Sequence, residues 1–319
     1  MLSGMSVSSP ESSKISQGAS PFRKVGENLY RLKTSGTYYA LLKRGGKQIR
    51  KSLKTKDKEL AVRKLGELRE KVSRLNTDKD LRNITFEELA SRWLTVKSSR
   101  IKASSLSRIE RCIKGLTPFF KGRAFKNVDR RRCEDWLTKR GQKISASSYN
   151  QERGVMVALF KYGISLGIVL DNVASDALPT RPIRNKRAVI PTREQFDLLA
   201  KTMRQADARG VHGANLVELL AYSGMRLNEG VNLLWQDVDF GRGCFTVTGG
   251  ATGTKNHEIR TVPLFPAMME LLERIKGDLT PASESRIIPI NDAKTLMRNS
   301  SRKVNLPAFT HHDMRHYFC

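Results

Sequence analysis

From Leu29 to Leu53 the apolar positions come in short runs cut by turn residues. Leu29-Tyr-Arg-Leu32, Tyr38-Tyr-Ala-Leu-Leu42 and Gln48-Ile-Arg-Lys-Ser-Leu53 are separated by Thr34-Ser-Gly-Thr37 and Arg44-Gly-Gly-Lys47. Glycine-bearing turns between such runs predict three short strands. A helix is expected next, from about Asp57 to Leu75. Beyond it the spacing becomes helical. Thr85-Phe-Glu-Glu88 reads as a capping box before an apolar face of Leu89, Trp93 and Leu94. A second helix starts near Ser105, with Leu106, Ile109, Ile113 and Leu116 on one face. Asp129 caps a third, carrying Cys133, Trp136 and Leu137 and ended by Gly141. A fourth runs from about Ser147 to Leu166, with Met156, Leu159, Phe160 and Ile164 facing inward.

The last block mixes the two periods. Thr192-Arg-Glu-Gln195 opens a helix to about Met203, and a further helix is expected from Asn215 to Tyr222. Asp237-Val-Asp-Phe240, Cys244-Phe-Thr-Val-Thr248 and Ile259-Arg-Thr-Val-Pro-Leu264 predict strands, with a glycine-rich turn from Gly249 to His257. Helices are expected from Pro266 and from Asn291 to Val304, a strand at Arg286-Ile-Ile-Pro-Ile290, and a final helix from Thr310. The serine-rich stretch 1–21 lacks apolar periodicity and is expected to be a disordered tail. Pro179-Thr-Arg-Pro-Ile-Arg-Asn-Lys-Arg187, with two prolines and four basic residues, predicts an extended linker over 179–188.

Charge narrows the functional class. Lys and Arg number 58 against 31 Asp and Glu, a net charge of +27. Such an excess predicts a polyanionic partner, nucleic acid before an anionic membrane surface. A membrane role is not expected, because no run of about 18 apolar residues occurs and no signal peptide opens the chain. Residues 23–74 alone hold 17 basic and 5 acidic side chains. They read either as a solvated surface or as a small sheet laid on DNA. Candidate DNA contacts are Lys43, Arg44, Lys47 and Arg50 on the sheet, Arg108 and Arg111 on the helices, and Arg184, Lys186 and Arg187 in the linker. Tyr38 and Tyr39 are expected in the core. Cys112, Cys133, Cys244 and Cys319 have neither zinc nor disulfide spacing, which makes a reducing, cytoplasmic setting the expectation.

Candidate chemistry collects in three stretches. Leu219-Leu-Ala-Tyr-Ser-Gly-Met-Arg-Leu-Asn-Glu229 reads as a helix, a break at Gly224 and a second helix with Arg226 in its first turn. There a guanidinium could hold a phosphate with its two-pronged fork, and Glu229 would lie on the same side. Lys255 lies in the glycine-rich turn. His312-Asp-Met-Arg-His316 sets His312 and Arg315 three apart on one helix face, with His311 as a rival to His312. Asp313 fits a capping box with Thr310. His312 and His316 are four apart, but no third ligand or catalytic glutamate follows, so neither a metal nor another cofactor is expected.

Together these stretches resemble the tyrosine recombinases, the phage-integrase family. The matching residues are Tyr222-Ser-Gly-Met-Arg-Leu-Asn-Glu229, Thr254-Lys255 with Arg260-Thr-Val-Pro-Leu264, and His312-Asp-Met-Arg-His316, at intervals of 29 residues from Arg226 to Lys255 and 57 to His312. The resemblance covers about residues 22–319. It implies a mainly α fold with small β-sheets (α+β): an arm-type DNA-binding domain at 22–78, a helical, SAM-like core-binding domain at 83–178, and a mixed α/β catalytic domain at 189–319. It also implies site-specific integration by strand cleavage and rejoining through a phosphotyrosine, without metal. Arg226 and Arg315 would clamp the phosphate, Lys255 would protonate the leaving 5′ oxygen, His312 would handle protons, and Glu229 would support Arg226. Double-stranded DNA and a synaptic homotetramer are the implied partners, in the cytoplasm at the nucleoid. In the family a second His or Trp and the nucleophilic tyrosine follow some tens of residues after this motif. The chain is therefore expected to be truncated before its nucleophile, with Tyr317 unsuited to that role, and to bind DNA without cutting it. The alternatives are a non-catalytic DNA-binding regulator derived from an integrase and, more remotely, a type IB topoisomerase.

Overall fold

The N-terminal sheet has four strands where the turn pattern predicts three. They are β1 (Phe22–Gly26), β2 (Leu29–Leu32), β3 (Tyr38–Arg44) and β4 (Lys47–Ser52), antiparallel in chain order. β1 carries little apolar signal, and its return turn uses Asn28 at φ 58°, a left-handed conformation that asparagine tolerates. This computed structural model describes residues 20–44, 46–184, 188–249, 259–278 and 280–318. The expected N-terminal tail thus falls almost wholly outside the described residues.

Asp57 caps α1 (Lys58–Ser73), accepting the Leu60 amide at 2.6 Å. The helix buries Ala61, Leu65, Leu68 and Val72 against Leu29, Tyr38, Ala40 and Leu42 of the sheet. Strand alternation places Tyr38, Ala40 and Leu42 on the helix-covered face and Tyr39, Leu41 and Lys43 on the other. Tyr39 is therefore half-buried against Phe22 on the open face and only Tyr38 is core.

A second core is helical. α2 (Lys79–Asn83) is too short to carry an apolar face and leaves no periodic signal. α3 (Phe86–Ser98), α4 (Ala103–Phe120), α5 (Arg130–Lys139) and α6 (Ala146–Ser165) follow the expected spacing, and α7 (Val173–Ala177) is a further short helix. The Thr85–Glu88 capping box is present in both directions. Phe86, Phe120, Phe125, Phe160, Trp136 and Tyr149 fill the interior. Ile164 departs from expectation and is 38% exposed, because the last turn of α6 meets Phe125 through Gly163 instead. The sheet and the helices have separate cores but form one compact unit ending at Arg184. Gly167 is one reason: at φ +69° its backbone carbonyl accepts the Asn76 amide at 2.9 Å, and a Cβ there would sit 2.5 Å from the Arg74 carbonyl oxygen.

The second unit, from Asn185 onward, is built around one helix. α8 (Arg193–Arg204) precedes α9 (Gly210–Ser223), which is buried on nearly every face and packs against α8 and the helices that follow. After α10 (Leu227–Val231) comes a three-stranded antiparallel sheet of β5 (Val238–Asp239), β6 (Cys244–Val247) and β7 (Arg260–Pro263). α11 (Pro266–Lys276), α12 (Lys294–Lys303) and α13 (His311–Phe318) complete it. The strand expected at 286–290 is reduced to a single bridge, Leu234 to Arg286. Ile287 and Ile288 are buried there, but Pro289 has no N–H for a ladder. Glu218, a buried carboxylate on α9, receives Arg204 at 2.5 Å and also Arg274, tying α8 and α11 to the central helix.

Candidate functional site

The break after α9 places Arg226. Gly224 takes φ 61° as the C-cap, Met225 is buried, and Arg226 follows with φ −72° and ψ 152°. That is extended backbone, so Arg226 is the N-cap of α10 and not a member of its first turn as the sequence suggests. Arginine has no acceptor with which to cap a helix, and Glu229 supplies the other half of the exchange. Glu229 Oε2 accepts the Arg226 backbone N–H at 3.0 Å and its Oε1 accepts Arg226 Nη1 at 2.9 Å. One carboxylate therefore fixes both the backbone and the guanidinium of Arg226. The Arg226 side chain stays 41% exposed above it, whereas Glu229 is 3% exposed.

Glu229 has a second arginine. Arg260 Nη2, at the start of β7, donates to Glu229 Oε2 at 2.6 Å. Burial pushes the Glu229 carboxyl up, but the hydrogen bonds from Arg260 and Arg226 outweigh it and hold the group at about 2. Arg260 lies in a stretch singled out in the sequence, yet no role follows for it there. The available signal is one buried acid facing two nearby cations, which pairing within α10 alone leaves unbalanced.

α13 brings the third stretch to the same end of α9. Thr310 and Asp313 cap it reciprocally: Asp313 Oδ2 accepts the Thr310 amide at 2.8 Å, and the Asp313 amide reaches Thr310 Oγ1 at 3.4 Å. Asp313 is thus engaged in the fold. Met314 is buried in the core around α9, and Phe318 lies so close to Gly224 that a Cβ there would come within 2.7 Å of its ring. Arg315, half-buried one turn before Phe318, therefore belongs to the turn of α13 that approaches the α9–α10 junction. His312 is exposed and meets His316 edge-on, with ring centroids 4.5 Å apart. Its rival His311 is taken up by the fold: Nε2 accepts the Ala293 amide at 3.0 Å, and burial holds its pKa down, which keeps that nitrogen an acceptor. Tyr317 is stacked on Phe196 at 4.8 Å, and burial raises its phenol pKa. Among the described residues no group of three potential metal ligands occurs. No described helix is long and apolar enough to cross a membrane.

Lys255 and His257 lie outside the described residues, as do Lys186, Arg187 and the side chain of Lys47. Arg184 is exposed at the end of the first unit. Lys43 and Arg50 are exposed on the open face of the first sheet, Arg50 with its guanidinium 5.3 Å from the Phe22 ring. Arg44 lies on the opposite face. Its Nη2 donates to the Ser73 carbonyl at 2.8 Å and to that of Leu75 at 3.4 Å, closing the C-terminal end of α1. Arg44, also expected as a DNA contact, has a role in holding helix to sheet, set by the period of two that separates it from Lys43. Arg108 and Arg111 are exposed on α4 and line a groove with Arg140, Ser148 and Gln151. Arg140 is tied to the buried Glu152 at 2.6 Å, which leaves Arg108 and Arg111, among the described residues, as the rim cations outside that ion pair.

Residues 191–319 match the sequence model of the phage integrase family. A putative integrase/recombinase of Haemophilus influenzae is 26% identical over 166 residues, covering 49% of this chain and 51% of that protein. The chain thus spans about half the length of the curated relative it matches. Among solved structures, a lambda integrase dimer bound to a COC′ core site superposes with a TM-score of 0.62 at 18% identity, over 93% of this chain and 87% of that one. A lambda integrase tetramer bound to a Holliday junction gives 0.62 at 17% identity, over 93% and 91%. A Tn1549 transposon integrase with circular intermediate DNA gives 0.60 at 18%, over 74% and 85%. At these identities the structural likeness establishes the shared fold, mainly helical with small antiparallel sheets.

Proposed function

We propose that this chain, whose residues 191–319 match the phage integrase family, is a DNA recombinase of that type, binding duplex DNA and presenting one phosphodiester to the Arg226 guanidinium. The observation that carries the reading is the Glu229-held Arg226 inside the segment that matches the family. A fixed, half-exposed guanidinium is a preorganised donor pair for the non-bridging oxygens of a phosphate. Arg315, on the neighbouring end of α13, is the second clamp. In the complete reaction a tyrosine oxygen bonds to phosphorus as the bond to the 5′ oxygen breaks. Lys255 gives the leaving oxygen its proton, and His312 manages the proton of the attacking group. The second negative charge that develops on the phosphoryl oxygens falls on the two arginines.

The open face of the first sheet, with Lys43, Arg50 and Phe22, and the Arg108–Arg111 rim of α4 carry the phosphate contacts that hold the duplex. The similar solved structures on a core site and on a Holliday junction support duplex DNA as substrate and a tetramer as the synaptic assembly.

Residues 1–319 bind this DNA without cutting it. Tyr317 is the sole tyrosine after Tyr222, and its ring is stacked on Phe196 with a raised pKa. The test is a nicked suicide duplex carrying a site recovered by selection from a randomised pool. The expected result is a salt-sensitive complex with no protein–DNA adduct on a denaturing gel. An adduct lost in Tyr317→Phe would overturn this reading and make Tyr317 the nucleophile. No selectable duplex at all would overturn DNA recognition itself.

A further inference from the structure

We propose that Arg260 is a positioning residue for phosphate binding, acting on Arg226 through the carboxylate that the two arginines share. The inference rests on the reading of Arg226 as a phosphate ligand, and extends it to a residue on a different element.

The geometry is a three-membered chain. Arg226 Nη1 meets Glu229 Oε1 at 2.9 Å, and Arg260 Nη2 meets Glu229 Oε2 at 2.6 Å. Oε2 also accepts the Arg226 backbone amide at 3.0 Å. The carboxylate is 3% exposed, whereas the two arginine side chains are 41% and 37% exposed. Among the described residues this buried carboxylate has three donors, and Arg260 supplies the one that does not come from Arg226 itself. Without it, the described partners of Glu229 are confined to its own helix terminus. It can then rotate together with the Arg226 side chain, because both ends of that pair belong to one short helix and its N-cap.

Arg260 is fixed independently. It opens β7, in register with Val247 of β6, and β6 is anchored in the core by Phe245 and Val247. The chain Arg260–Glu229–Arg226 thus refers the orientation of the guanidinium to the sheet. Two cations on one carboxylate also leave the cluster with a net positive charge, so Glu229 does not cancel the attraction for a phosphate.

The experiment uses the full chain and the duplex it selects from a randomised pool, with thermal unfolding as the control for folding. Arg226→Ala should weaken binding. Arg260→Gln should weaken it by about tenfold, the size of coupling seen within one hydrogen-bonded network, and Arg260→Lys should restore most of the loss. In the Arg226→Ala background the same Arg260→Gln change should have almost no effect on affinity. A role confined to stability would lower the unfolding midpoint alone, leave affinity unchanged and show no dependence on Arg226. Equal losses from Arg260→Gln with and without Arg226 would overturn the inference and make Arg260 an independent contact. Undiminished binding by Arg226→Ala would instead overturn the phosphate-ligand reading on which the inference rests, and a failure to select any duplex would overturn DNA recognition.

Discussion

Glu229→Gln removes a charge from the interior and leaves the shape almost unchanged, which makes it the sharpest probe of the site's construction. The Glu229 carboxyl is held at about 2 against an ordinary 4.5. At about 1.4 kcal/mol for each tenfold change in proton affinity, that difference corresponds to roughly 3 kcal/mol of favourable interaction in the ionised state. Solvent reaches both arginine partners, which are 41% and 37% exposed, and screens part of it, so about 2 kcal/mol is the expected loss. The folded-state value is depressed. The contribution is therefore complete above pH 4.5 and disappears as pH falls through about 2. Urea-dependent hydrogen exchange of peptides spanning residues 210–240 reports this unit separately from the first. The difference between the unaltered chain and Glu229→Gln should be constant from pH 7 to 5 and shrink steadily below 4.5. Equal stability at pH 7, or a gap undiminished near pH 2, would refute the assignment of an ionised Glu229 clamped by two arginines.

Gly167→Ala should destabilise the first unit by about 2–4 kcal/mol in denaturant titrations, because φ is +69° and the new Cβ would press on the Arg74 carbonyl oxygen from 2.5 Å. Arg44→Ala should cost about 1–2 kcal/mol through its hydrogen bonds to the Ser73 and Leu75 carbonyls, whereas Lys43→Ala and Arg50→Ala should leave stability within about 0.5 kcal/mol and reduce the salt dependence of DNA binding.

Elements whose signal is local were legible in the sequence. The capping boxes at Thr85 and Thr192 mark helix starts to the residue, since the cap is made by side chains three positions apart. The α9–Gly224–Arg226 break was legible because one glycine must take a left-handed conformation there. What escaped depends on partners distant in sequence. β1 gains its stability by pairing with β2, and Pro289 defeats a strand that Ile287 and Ile288 suggest. Arg44 and Lys43 are chemically alike and adjacent, and only the position of α1 over one face of the sheet separates a structural arginine from a surface lysine. Arg260 escaped for the same reason: its partner lies 31 residues back, on another element.

A buried acid beneath an arginine proposed to bind phosphate opposes that binding electrostatically, since it repels the anion that the guanidinium attracts. Geometry resolves the conflict. A free arginine side chain loses about 2 kcal/mol of rotamer entropy when it is fixed on a ligand. Glu229 takes that cost during folding, by holding both the backbone amide and one Nη of Arg226 before any DNA arrives. The repulsion it adds is offset at the same carboxylate by Arg260, so the cluster stays cationic. On the proposed reading, the result is a donor already oriented before a phosphate binds, at a lower entropic cost than an equally cationic but mobile side chain would carry. On this argument the acid and the second arginine are a matched pair. Either one alone would leave Arg226 either loosely held or electrostatically cancelled, and a chain that kept Glu229 while losing Arg260 should bind phosphate less well than one that had lost both.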